Sequence, residues 1–113
     1  MKLGKKQELF SYHAALLVLK AIEMGYGVRS GDAYRDPRVH GEIGEKKGYG
    51  HKNSCHKLRL ARDLYLTKDG EFLTTVEQYR PLGEWWQKQH ELCRWGGIWG
   101  DGVHFSFWHN GMM

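Results

Sequence analysis

Two histidines and two aspartates stand at spacings that suit work on a metal ion. His56 and Asp63 lie seven residues apart in the stretch Ser54-Cys55-His56-Lys57-Leu58-Arg59-Leu60-Ala61-Arg62-Asp63-Leu64. Asp101 precedes His104 by three residues in Asp101-Gly102-Val103-His104-Phe105. A catalytic zinc site takes three protein ligands from His, Asp, Glu or Cys and keeps a fourth position open. His56, Asp63 and His104 make such a set. One carboxylate against a divalent cation leaves net positive charge on the metal, which pulls the pKa of a bound water toward about 7. Asp101, across Gly102 from His104, can then act as general base on the water and general acid to a leaving amine. Arg35 is a candidate to hold a substrate carboxylate or the oxyanion of the attack. The spacings alone also allow a plainer reading. In it His56 and His104 are surface or satisfied interior histidines, and Asp101 only shapes a glycine turn.

Other polar residues weigh less. Cys55 adjoins His56, but neighbouring side chains on an extended chain point apart. His40 and His51 fall in a loop rich in glycine and lysine, His13 and His90 fall in expected helices, and His109 is expected to be exposed. The five tryptophans are expected chiefly in the core, with Trp95 or Trp99 walling a cleft.

The elements that must position these residues can be read from periodicity. Phe10, Ala14, Leu17, Ala21 and Met24 recur at helical spacing and predict a helix over 7–25, closed by Gly25 and Gly27. Residues 26–34 are extended or irregular, and Pro37 sets a boundary at Asp36. Residues 38–53 read as a basic loop. Alternation over 60–67 predicts a strand with Asp63 near its start. Lys68-Asp69-Gly70-Glu71 is a hairpin signal, and Phe72-Leu73 begin the return. Thr74 or Thr75 caps the next helix, with Glu77 or Gln78 completing a capping box. That helix is expected over 76–92. Pro81 is awkward in its middle, which favours a start at Arg80 after an initial turn. Glycine turns follow, then a strand over 103–107 with His104 and Ser106 on one face.

With 113 residues the chain is expected to form one domain over 1–113. The net charge of +4 suits a polyanionic partner, such as nucleic acid, anionic lipid or acidic wall polymer. Two cysteines make no disulfide framework and fit folding in a reducing cytoplasm. No apolar run is long enough to span a bilayer, and none reads as a signal peptide. Stable membrane insertion is therefore not expected.

The order of these motifs resembles a known family. Ser54-x-His56-x-x-Arg59-x-Ala61-x-Asp63-Leu64 is similar to the Ser-x-His-x-x-Gly-x-Ala-x-Asp-Leu signature of the zinc D-alanyl-D-alanine carboxypeptidases and L-alanyl-D-glutamate endopeptidases. Trp95-Gly96-Gly97, Asp101-Gly102-Val103-His104-Phe105 and the upstream Tyr34-Arg35-Asp36-Pro37 resemble further elements of it. The matches run from about residue 34 to residue 107. The resemblance implies an α+β fold of the hedgehog/D,D-peptidase kind, an antiparallel sheet with helices packed against it. It implies zinc on His56, Asp63 and His104, Asp101 as catalytic acid and base, Arg35 on the substrate or transition state, and Ser54 in substrate contact. Two departures stand out: Arg59 where the family has glycine, which requires a different turn, and Ser106 where glutamate is common.

The function so implied is hydrolysis of an amide bond in peptidoglycan stem peptides, as an L-alanyl-D-glutamate endopeptidase of the phage endolysin type. The expected partner is bacterial peptidoglycan, met by a monomer made in the host cytoplasm and acting on the wall after release. Its positive charge would aid binding to anionic wall polymers, less so at high salt. One alternative is a D-alanyl-D-alanine carboxypeptidase, with Arg35 gripping the terminal carboxylate. Another is a basic nucleic-acid-binding domain with a structural metal. Against it, the basic residues form no compact stripe interleaved with aromatics. A hedgehog-like domain that only binds is a third, and Asp101 argues for retained catalysis.

Overall fold

The computed structural model describes residues 1–31 and 55–113. The first helix, α1 (Leu3–Glu23), buries Phe10, Ala14, Leu17 and Ala21 along one stripe. It starts earlier than periodicity indicates because Lys6 continues the stripe. The Lys6 stem is buried, and its Nζ donates to His109 Nδ1 at 3.0 Å and to the Trp108 carbonyl at 3.5 Å. Past the last turn, Gly25 at φ +94° lets Tyr26 N–H reach the Ala21 carbonyl and Gly25 N–H the Ile22 carbonyl. That is the Schellman closure, which favours glycine.

Strand β1 (Gly27–Ser30) follows, and after the undescribed segment comes a 3-10 turn, Cys55–Leu58. Strand β2 (Ala61–Lys68) turns through Asp69 and Gly70, both at positive φ, into the two-residue β3 (Glu71–Phe72). Two consecutive left-handed residues are what a tight hairpin requires. Helix α2 (Val76–Gln87) then begins at a capping box: Gln78 N–H donates to Thr75 Oγ1 and Thr75 N–H donates to Gln78 Oε1. This cap fixes the start at Val76 and carries Pro81 inside the helix. The expected start at Arg80 is thereby corrected. The helix also stops at Gln87, short of the expected residue 92. Gln89 Nε2 donates back to the Trp85 carbonyl, and Leu92 N–H donates to His90 Nδ1. These side-chain bonds replace the next helical ones.

Strand β4 (Cys93–Trp95), a 3-10 turn (Gly96–Trp99) and strand β5 (His104–Phe107) complete the chain. Periodicity gave no sign of β4, whose three residues are too few to show alternation. The described strands form one antiparallel sheet in the order β1-β2-β5-β4, with β3 paired to β2. One face packs on the helices. Phe107 meets Phe10 at 5.3 Å between ring centroids, and Phe105 meets Trp86 at 6.2 Å, both edge to face. The domain is α+β, with both described helices against the antiparallel sheet. Cys55 and Cys93 are free thiols, and burial pushes each up to about 12. Among the described residues, no helix is long and apolar enough to cross a membrane.

Candidate metal centre

Asp63 on β2 and His104, the first residue of β5, are direct partners in the antiparallel register. Directly opposed residues share a face of the sheet, here the face away from Phe105 and Phe107. His56 comes to them from the 3-10 turn before β2. That turn is fastened to β5: the Cys55 thiol donates to the Phe107 carbonyl at 3.3 Å. Leu60 N–H donates to the Cys55 carbonyl, and Phe107 N–H to the Leu60 carbonyl. Cys55 is thus aimed at the backbone, while His56 faces Asp63.

The three side chains converge. His56 Nε2 stands 3.2 Å from Asp63 Oδ1, and His104 Nδ1 stands 3.7 Å from the same oxygen. One ligand atom from each of the three lies within 4.8 Å of the others. Around a tetrahedral ion with bonds of about 2.0–2.2 Å, neighbouring ligand atoms are roughly 3.3–3.5 Å apart. The observed spacings straddle that value. All three residues are buried, at 2%, 8% and 6% exposure for His56, Asp63 and His104. Burial raises the Asp63 carboxyl, but the close approach of the His104 and His56 imidazoles and their charge outweigh it. The net effect holds Asp63 well below the usual carboxylate range, so the group presents an anion. The buried trio can hold a metal ion. Two imidazoles and a carboxylate suit a divalent transition metal.

Asp101 sits on the turn that delivers His104. His104 N–H donates to the Asp101 carbonyl at 3.2 Å, and Asp101 N–H donates to the Gly96 carbonyl at 2.8 Å. A Cβ on Gly96 would lie 2.3 Å from the Asp101 carbonyl oxygen, 2.7 Å from His104 Cβ and 3.2 Å from Asp101 Cβ. Only glycine admits this close approach, and both side chains leave the backbone beside it. Trp95 braces the same turn. Its indole N–H donates to the Gly102 carbonyl at 2.8 Å. Its ring lies where a Cβ on Gly83 or on Gly97 would fall, 2.1 Å away in each case. Trp95-Gly96-Gly97 is therefore a positioning unit for Asp101 and His104. Trp99 stands edge to face against His104 at 5.4 Å and is 45% exposed, so it walls the mouth of the site.

Of the residues singled out by sequence, His56, Asp63 and His104 are brought to one place, and Asp101 lies on the turn that leads into His104. Arg35 and Ser54 lie outside the described residues, as do His40 and His51. The turn at Arg59 is the left-handed one that glycine favours, with φ +57°. Arginine here takes the backbone conformation that glycine adopts most readily. Ser106 is fully buried, and its Oγ finds no hydrogen-bond partner among the described residues. His109 is half-buried against Lys6 rather than exposed, and burial followed by the Lys6 charge lowers its pKa. His90 lies beyond the end of α2 and stacks on Phe107. Trp86 and Trp95 are core, but Trp99 and Trp108 are exposed.

Sequence reasoning missed Gly83, whose only signal is a glycine inside a helical pattern.

No model of a known protein family matches the chain, and no curated protein matches it. The fold and the site define a class by themselves. This is a small α+β domain with a buried two-histidine, one-aspartate group able to hold a metal ion.

Proposed function

We propose that the protein is a zinc metallopeptidase that cleaves an amide bond in peptidoglycan stem peptides, L-alanyl-D-glutamate in particular, in the manner of phage endolysins. The reading is carried by the convergence of His56, Asp63 and His104 beside a turn that bears a second acidic group, Asp101. The resemblance of the motifs adds the substrate class.

Zinc is the natural occupant of a two-imidazole, one-carboxylate set, and when bound it supplies a Lewis acid and acidifies water to a pKa of about 7. The residues of the chain do the rest. Asp63 and the two histidines are fixed by strand pairing and by the docked 3-10 turn, so little reorganisation accompanies reaction. Asp101, exposed on its braced turn, takes a proton from the attacking water and returns it to the departing amine. Arg35 is assigned to the substrate carboxylate or the developing oxyanion. The net charge of +4 favours approach to an anionic wall.

The test is product mass spectrometry on purified peptidoglycan peptides, paired with metal analysis. One zinc per chain and a new amino terminus at D-glutamate are expected. Release of terminal D-alanine alone would reassign the bond. Absence of both products, with zinc bound, would end the peptidase reading.

A further inference from the structure

The metal-bearing face of the sheet continues well beyond its three ligands. Cross-strand pairing sets Arg29 opposite Tyr65, Thr67 opposite Phe72 and Asp63 opposite His104. Because Asp63, Tyr65 and Thr67 alternate along β2, all of these residues lie on one face. Tyr65 is 40% exposed and Phe72 51% exposed. Between them and the turn after β4 runs a groove of about 340 Å³, lined by Tyr65, Phe72, Leu73, Val76, Asp101 and Val103. Its described walls are mainly apolar, and Asp101 among them is bonded through its backbone to the metal ligand candidate His104.

Beside the groove the Arg29 guanidinium lies over the ring of Phe72, one of its lining residues, 4.9 Å from the ring centroid. Arg29 is exposed and makes no ion pair among the described residues. A guanidinium laid on an aromatic face keeps its planar donor edge free for a carboxylate. The groove therefore has an acid, Asp101, in its lining and a cation, Arg29, laid on one of its aromatic walls, Phe72.

We propose that Arg29 and Phe72 form a specificity subsite for the free carboxylate of an extended peptide whose cut bond lies at Asp101. The identity of the cut bond rests on the peptidase reading; the subsite rests on Arg29 and the groove. From Asp63 to Thr67, the partner of Phe72, β2 advances roughly 13 Å at about 3.3 Å per residue. An extended peptide covers that distance in about four residues. The carboxylate read by Arg29 is thus some three to four residues from the cut bond, within the reach of a stem peptide's C-terminus. Phe72 and Tyr65 offer apolar contact to the chain between, and the preformed arginine limits the ordering lost on binding.

The experiment measures binding to the zinc-loaded chain in an Asp101→Asn background, which slows turnover enough for equilibrium binding to be read first. Two probes are used, a stem pentapeptide as free acid and the same peptide as C-terminal amide. The Arg29 form should prefer the free acid by roughly tenfold. Arg29→Gln should lose that preference and bind the amide unchanged, and Arg29→Lys should keep part of it. Equal affinity for acid and amide with Arg29 present overturns the subsite, as does a preference that survives Arg29→Gln. The peptidase reading is judged separately, on cleavage by the unmodified chain. An Arg29-dependent preference without any cleavage would keep the subsite and sink the peptidase. Cleavage without Arg29 dependence would do the reverse.

Discussion

Asp63 and His104 face each other across the β2–β5 pairing, with His104 Nδ1 3.7 Å from Asp63 Oδ1. Two of the three side chains able to hold a metal ion are thus set by backbone hydrogen bonding rather than by loops. A slip of one residue in register would send one of them to the helix-packed face. The third, His56, is tied to the same strand through Cys55 and Phe107.

Asp101 and His104 are expected to separate chemistry from metal binding. Asp101→Asn should lower kcat on stem peptides by about 10²–10⁴-fold, the usual share of a general acid and base, with zinc content and circular dichroism unchanged. His104→Ala should lose zinc and activity together. Normal turnover by Asp101→Asn would remove Asp101 from the mechanism.

Gly83 should defy the ordinary rule for helices. Alanine is normally favoured over glycine there by about 1 kcal/mol. At this position its Cβ would fall 2.1 Å from the Trp95 ring. Overpacking of that kind costs about 1–3 kcal/mol. Gly83→Ala is therefore expected to lower the midpoint of chemical unfolding and to shift tryptophan fluorescence. A more stable variant would show that the ring moves aside freely.

Arg59 holds φ +57° without the freedom of glycine. Left-handed backbone costs an ordinary residue about 1–2 kcal/mol, part of which glycine gives back through its looser unfolded chain. Arg59→Gly should raise stability by about 0.5–1 kcal/mol in thermal melts, with zinc content unchanged. A fall in melting temperature would show that the arginine side chain contributes more than its backbone strain removes.

Asp63 should shape acid stability in the metal-free chain. Its folded pKa is depressed by the two histidines, against the pull of burial. A depressed pKa contributes stability above the unfolded value of about 3.9. That contribution fades as pH falls from there through the lower folded value. Urea unfolding of apo protein between pH 6 and pH 2 should show this loss, and Asp63→Asn should flatten it. Parallel curves for the two proteins would mean that the pairing with the imidazoles is absent in solution.

Much of this was legible in the chain because local chemistry and fold agree. Asp69-Gly70 can only turn tightly, Thr75 and Gln78 can only cap, and alternation around Asp63 put its side chain on the correct face. His56, Asp63, Asp101 and His104 were singled out by residue type, spacing and the motif resemblance, although nothing in spacing brings Asp63 and His104 into register. What escaped depends on contacts between distant segments. The three residues of β4 are strand only because β5 lies beside them. Gly83 reads as a flaw in a helix until Trp95 is laid against it. Arg29 is an ordinary surface charge until Phe72, more than forty positions later, comes under it. The left-handed turn at Arg59 was hidden because arginine gives no sign of that conformation.

The two thiols have a consequence for handling and for habitat. Each is sealed in the interior, with its proton retained far into alkali, so neither alkylating reagents nor mild oxidants have a thiolate to attack while the fold is intact. Transfer from a reducing to an oxidising medium is therefore expected to leave both cysteines as free thiols while the fold persists.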